Sequence, residues 1–150
     1  MVKKAKTDLR PAREKTLTEL EGEDWGPPTY NSHLVTTVHR LRYVAIKQFD
    51  VEDLRIVIGQ QIGLPWLVPI ALEQLEKDPF VSGDFYPGDL LKNVASVAKD
   101  FWASRTDLRN RMKRLIALAL EHIHEAGTVP ELKDELKSAL RRLDDSSIGG

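Results

Sequence analysis

From Thr106 to Ala126 the chain places Leu108, Met112, Leu115 and Ala119 about one helical turn apart, with Ile116, Leu120 and Ile123 beside them, and Gly127 stops the run. Spacings of three and four put these side chains on one broad face of an α-helix but would scatter them over both faces of a strand. A helix of this kind needs other apolar helices to cover its face. The rest of the sequence supplies them. "TLTELEG" has Thr16 as N-cap, Glu19 three residues on and Gly22 as the stop, which is a capping box on a short helix. Gly26, Pro27 and Pro28 in "EDWGPPTYN" forbid helix and point to a turn. Ser32 is the next N-cap, ahead of a face made by Leu34, Val38 and Leu41. Asp50 and Asp53 place negative charge at the start of "LRIVIGQQI", where Leu54, Val57, Ile58, Gln61 and Ile62 share one side and Ile56 covers another. Gly63 ends that helix. Pro65 opens "PWLVPIALEQLEKD", with Trp66, Leu67, Ile70, Ala71 and Leu75 facing inward and Pro69 about one turn in, where proline costs less than mid-helix.

Leu90, Leu91, Val94, Val97 and Ala98 continue the helical spacing through "LLKNVASVAKDFW", and Pro130 opens a last helix carrying Leu132, Leu136, Leu140 and Leu143. No alternating strand pair occurs. The expectation is an all-α fold, a compact single-domain bundle of about six to eight helices. Its domain spans residues 16–143, preceded by a mobile basic tail over 1–15 and followed by a flexible tail over 144–150.

Among the 150 residues there is no cysteine, which removes disulfides, thiolate nucleophiles and Cys-type metal sites. The first fifteen residues have the charge of a signal n-region with no apolar stretch behind it, and no run approaches the roughly 18 apolar residues of a membrane span. A soluble cytoplasmic protein that does not engage membranes is expected. The net charge of −1 is unevenly laid out. Residues 1–15 hold six Lys/Arg against two Asp/Glu, residues 16–100 seven against thirteen, and residues 101–150 nine against eight. The middle segment therefore carries −6 and would attract basic partners while repelling nucleic acid.

Four sets of residues invite a chemical reading. His122 and His124 lie on different helix faces, and His33 and His39 stand six apart with no HExxH-type companion, so structural or surface histidine is the better reading. In "GDFYPGDLL", Asp84 and Asp89 lack the close alternate oxygen ligands of a calcium loop and have no nearby His, Lys or Ser for acid–base work. A turn is the simpler reading, with Gly83 at positive φ, Pro87 fixing the backbone, and Gly88 or Asp89 capping a helix from Leu90. "IGQQIG" is no phosphate loop, and Gly59 there serves close helix packing. The stretch Arg105 to Arg114 alternates basic with apolar positions and reads as a solvated helix face, with a nucleic-acid strip as the alternative. No metal and no cofactor is expected, and a carboxylate-dependent hydrolase around Asp84 and Asp89 is a third reading.

Four ordered blocks go further. "LEGEDWGPPTYNSHLVTTVHRLR", "FDVEDLRIVIGQQIGLPWLVPIALEQLEKDP", "GDFYPGDLL" and "FW" at 101–102 together resemble an immunity-protein family of bacterial contact-dependent growth inhibition (CDI) systems, over about residues 16–103. The resemblance implies a non-enzymatic cytosolic protein that binds the toxic C-terminal domain of a cognate exported effector. Nucleases are common among such toxins, and the −6 charge of residues 16–100 suits a ribonuclease or deoxyribonuclease with a basic cleft. On that reading the toxin-binding candidates are the acids Glu21, Glu23, Asp24, Glu73, Glu76, Asp78 and Asp84, and the aromatics Trp25, Tyr30, Phe85 and Tyr86. A monomer is expected before the toxin is met, with no direct binding of nucleic acid. A second reading makes the shared blocks scaffold, with toxin-facing residues varying from toxin to toxin. The alternative function is a small helical nucleic-acid-binding or regulatory protein.

Overall fold

In the computed structural model, residues 8–148 are described, with side chains as far as residue 145. Among the described residues the fold is all-α, as the spacing predicts, with eight α-helices, three short 3-10 turns and no strand. The chain divides into two compact units, Met1–Gln48 and Phe49–Gly150.

The first unit holds α1 (Leu17–Glu21) and α2 (His33–Leu41), with 3-10 turns at Ala12–Glu14 and Ile46–Gln48. Helix α1 starts as its sequence demands: Thr16 accepts from the Glu19 amide, Glu19 reaches back to the Thr16 amide, and Gly22 closes the helix in the left-handed region. Ser32 caps α2 by accepting from the Val35 amide. Of the expected α2 face, Val38 and Leu41 are buried but Leu34 is 42 % exposed, and Thr37 is buried beside them. The basic tail expected over 1–15 lies outside the described residues as far as residue 7. From Asp8 onward Arg10 pairs with Asp8 and Glu19, and the Lys15 carbonyl accepts from the Ile46 amide.

The second unit holds α3 (Val51–Gly59), α4 (Leu64–Lys77), α5 (Asp89–Ala95), α6 (Lys99–Ser104), α7 (Thr106–His122) and α8 (Glu131–Ile148). Helix α5 packs against α3, α4 and α8, while α7 lies against α4, α6 and α8. The core between them is aliphatic: Leu54, Val57, Ile58, Leu67, Leu72, Leu75, Leu90, Leu91, Val94, Met112, Ile116 and Leu136 are buried. Each such side chain contributes about 1.5–3 kcal/mol by leaving water. Asp50 and Asp53 form the capping box of α3. Pro65 sits in the first turn of α4, and Pro69 is accommodated inside it. Gly59 permits close packing, as expected: a Cβ there would lie 2.8 Å from the Asn93 amide nitrogen, which donates to the Arg55 carbonyl at 2.8 Å and ties α5 to α3.

Two local expectations are corrected. "LLKNVASVAKDFW" is two helices, because the chain breaks at Ser96–Ala98. Ser96 turns its hydroxyl back to the Lys92 carbonyl, Gln61 accepts from the Ala98 amide at 2.9 Å, and buried Trp102 donates to the Val97 carbonyl at 3.1 Å. These side chains satisfy the freed backbone groups, so the apolar spacing survives a break that it does not reveal. The other correction concerns Gly83 and belongs to the site below. Helix α8 continues to Ile148, beyond Leu143, and the remainder of the tail expected over 144–150 lies outside the described residues.

Candidate functional site

The loop between α4 and α5 is built inside out around a carboxylate. Asp89, only 2 % exposed, is the first residue of α5, but its side chain turns away from the helix and back into the preceding loop. Its oxygens accept from the Gly83 amide at 2.7 Å and the Phe85 amide at 3.0 Å, and Arg55 lies 3.7 Å away. Gly88, at φ 91°, is the residue that precedes and starts α5. Of the two expected caps the structure uses Gly88, while Asp89 organises the loop. The positive φ expected at Gly83 is not found, and the constraint there is one of space. A Cβ at Gly83 would come within 2.5 Å of Glu52 Oε1 and 3.0 Å of Asp89 Oδ2, so a side chain there requires both carboxylates to shift. Gly83→Ala is expected to cost about 1–3 kcal/mol through this overlap, read as a lower urea midpoint; an unchanged midpoint would mean that the two carboxylates move aside freely.

Helix α3 supplies the other wall. Glu52 receives the Arg55 fork at 2.6 and 2.5 Å and also accepts from the Asp84 amide at 2.9 Å. An isolated antiparallel bridge joins Ser82 to Pro87, and Thr128 donates its hydroxyl to the Pro87 carbonyl. The result is a loop whose Gly83, Asp84 and Phe85 amides and Pro87 carbonyl are held by side chains. At its tip Phe85 is 71 % exposed, with the Arg55 guanidinium 4.2 Å from its ring centre. Tyr86 is half-buried, and burial, then the nearby Glu135 charge, pushes its hydroxyl pKa up. Asp84 is exposed beside Phe85.

In the first unit the candidates gather around Arg42, which is fully buried. Its guanidinium donates to Glu21 at 2.5 Å and to the Glu23 carbonyl at 3.0 Å, and lies 4.1 Å from the Trp25 ring centre. His39 meets Trp25 edge-on at 5.2 Å and contacts the Gly26 carbonyl through Nδ1 at 3.0 Å. Asp24 accepts from the Gly26 amide and from the Tyr43 hydroxyl. That Tyr43 bond holds Asp24 below the usual carboxylate range and pushes the Tyr43 hydroxyl up. Tyr30 is 73 % exposed. Thus Glu21, Glu23, Asp24 and Trp25 come together in one network, and Glu52, Asp84, Phe85 and Tyr86 in another. Among the remaining candidates, Asp78 accepts from the Phe80 amide and Glu76 is forked by Arg111, while Glu73 sits on α4 one turn before Lys77. Sequence reasoning missed Arg42, Arg55 and Tyr43; the signal that could have found one of them is the placement of Glu52 and Arg55 three apart on a helix.

A family model of CDI immunity proteins matches residues 19–112, more than half of the chain. The chain belongs to this family of CDI immunity proteins. No curated protein and no solved structure matches it. Members of the family are inhibitors, not enzymes, and their partner is a cognate toxin protein. The matched segment of the immunity protein contains both networks and reaches into α7.

Three cations of the stretch Arg105 to Arg114 pair with the immunity protein's own carboxylates. Arg111 pairs with Glu76 at 2.6 Å, Lys113 with Asp144 at 2.7 Å and Arg105 with Asp107 at 3.1 Å. His122 and His124 are exposed, each near Glu125. Among the described residues no group of three or more His, Asp or Glu could hold a metal, and no helix is long and apolar enough to cross a membrane.

The ion pairs set an acid response. The Arg55 bonds to Glu52 and the Arg111 bonds to Glu76 lower both carboxyl pKa values in the folded immunity protein. A depressed carboxyl contributes its full stability above the unfolded value of about 4.3, and loses it as pH falls through the lower folded value. Unfolding free energy is expected to decline as pH drops below about 4.3, with a shallower decline in Glu76→Gln. Equal slopes for the two proteins in pH-resolved denaturation would contradict this assignment.

Proposed function

We propose that this immunity protein neutralises a nuclease toxin domain, a ribonuclease or deoxyribonuclease, by binding it in the cytoplasm as a monomer. The observation that carries the reading is charge. Residues 16–100, which make up most of the family match, hold thirteen acidic against seven basic residues. A nuclease must present cations to a phosphate backbone, and an acidic surface is steered towards such a cleft and away from nucleic acid itself. Charge sets the encounter and the choice of partner, while desolvated aromatic side chains supply most of the affinity.

The candidate acids differ in what they have to offer. Glu21 and Glu76 are engaged by Arg42 and Arg111, and Asp24 by Tyr43, so these groups support the surface more than they extend from it. Asp84, next to exposed Phe85, is better placed for a partner. The test is to co-express the cognate toxin domain. A co-purifying pair, suppressed toxicity and nuclease activity in the free toxin are expected. A toxin that kills equally with and without this chain, and forms no complex, ends the immunity reading; a neutralised toxin that cleaves neither RNA nor DNA ends the nuclease part.

A further inference from the structure

The loop from Gly83 to Pro87 presents an unusual combination of rigidity and exposure. A mobile loop would leave an exposed phenylalanine free to take many orientations. Here the opposite is enforced: Asp89 holds the Gly83 and Phe85 amides, Glu52 holds the Asp84 amide, and Arg55 backs the Phe85 ring at 4.2 Å. Such prior ordering removes the entropy that a mobile aromatic would lose on binding. The tip then offers a flat apolar ring next to the Asp84 carboxylate.

We infer that Asp84 and Phe85 are the anchor by which the immunity protein enters the toxin's substrate cleft, the ring taking the place of a stacked base and the carboxylate that of a phosphate. The inference rests on the nuclease reading above. Clefts that bind single strands combine stacking surfaces with cations along the backbone path, and a ring beside a carboxylate complements both. In the first unit the corresponding acid is engaged, Asp24 by Tyr43, and Trp25 is only 38 % exposed against 71 % for Phe85.

The experiment measures binding of the toxin domain to wild-type immunity protein, Phe85→Ala and Asp84→Asn by calorimetry, with melting curves for each. Phe85→Ala is expected to weaken binding by about a hundredfold, the scale of an interface hot spot, with melting shifted by no more than about 2 °C. Asp84→Asn is expected to weaken binding about tenfold and to flatten its salt dependence. Single-stranded RNA or DNA oligonucleotides, whichever the toxin cleaves, are expected to compete with the wild-type protein. Full-strength binding by Phe85→Ala overturns the anchor while leaving the immunity role intact. Weakened binding without oligonucleotide competition overturns the placement in the cleft. Absence of binding by the wild-type protein overturns the underlying function instead.

Discussion

Asp89→Ala is expected to lower the unfolding free energy by about 3–4 kcal/mol. Two backbone amides lose a charged acceptor, each such bond being worth about 1.5–3 kcal/mol, although the Phe85 amide near the surface recovers part of this from water. Arg55 loses its second carboxylate, 3.7 Å away, but keeps the Glu52 fork. Asp89→Asn separates the contributions. The amide keeps one acceptor oxygen and turns an NH2 group towards a donor, so about half of the loss is expected. Urea denaturation followed by helical circular dichroism measures both, and amide exchange at Gly83 and Phe85 should accelerate in step. A loss below about 0.5 kcal/mol for alanine, the range of an ordinary surface change, would show that Glu52 and the Ser82–Pro87 bridge hold the loop unaided.

The helices were legible because their signals are local. Thr16 with Glu19, Ser32, and Asp50 with Asp53 each satisfy amides within three residues, and the structure uses every one. The same locality explains what was hidden. The break at Ser96–Ala98 depends on Gln61, more than thirty positions away in sequence, which accepts from the Ala98 amide. Gly83 was read through its own backbone freedom, yet its constraint comes from Glu52, an oxygen on another helix. Periodicity records which face is apolar and carries no information about which polar side chain crosses to a neighbouring element.

The candidate site was legible in outline for a related reason. Acids and aromatics could be counted, and several do gather, but their cationic partners could not be assigned. Arg42 and Arg55 each sit within a helical pattern as an ordinary polar position, and nothing in their spacing marks one of them as fully buried. Which carboxylates stay available to a partner is decided by those arginines. Glu21 and Glu76 are thereby drawn into the fold, and exposed Asp84 and Phe85 acquire a fixed base.

Arg42 gives the second large effect. Its main chain continues the end of α2, accepting from the Thr18 amide at 3.1 Å, so α1 hangs on this residue before its side chain is considered. The guanidinium then reaches Glu21, the Glu23 carbonyl and the Trp25 ring from a position with no exposure. Arg42→Ala removes a buried cation from its partners and leaves a cavity beneath Trp25, for an expected loss of about 3–5 kcal/mol. Arg42→Met fills the space without the charge. Because Glu21 lies nearer water than Arg42 and can rehydrate, a loss of about 1–2 kcal/mol is expected there, most of it from the Glu23 carbonyl and the Trp25 face. Arg42→Lys keeps the charge, but a point-like ammonium cannot fork to two acceptors while lying flat on an indole, so it should fall closer to alanine than to methionine. Chemical denaturation of the three variants orders these contributions. If lysine matches wild type, charge alone holds the cluster; if methionine is as damaging as alanine, the ion pair with Glu21 outweighs the packing, and the first unit owes its form to electrostatics more than to its small apolar core.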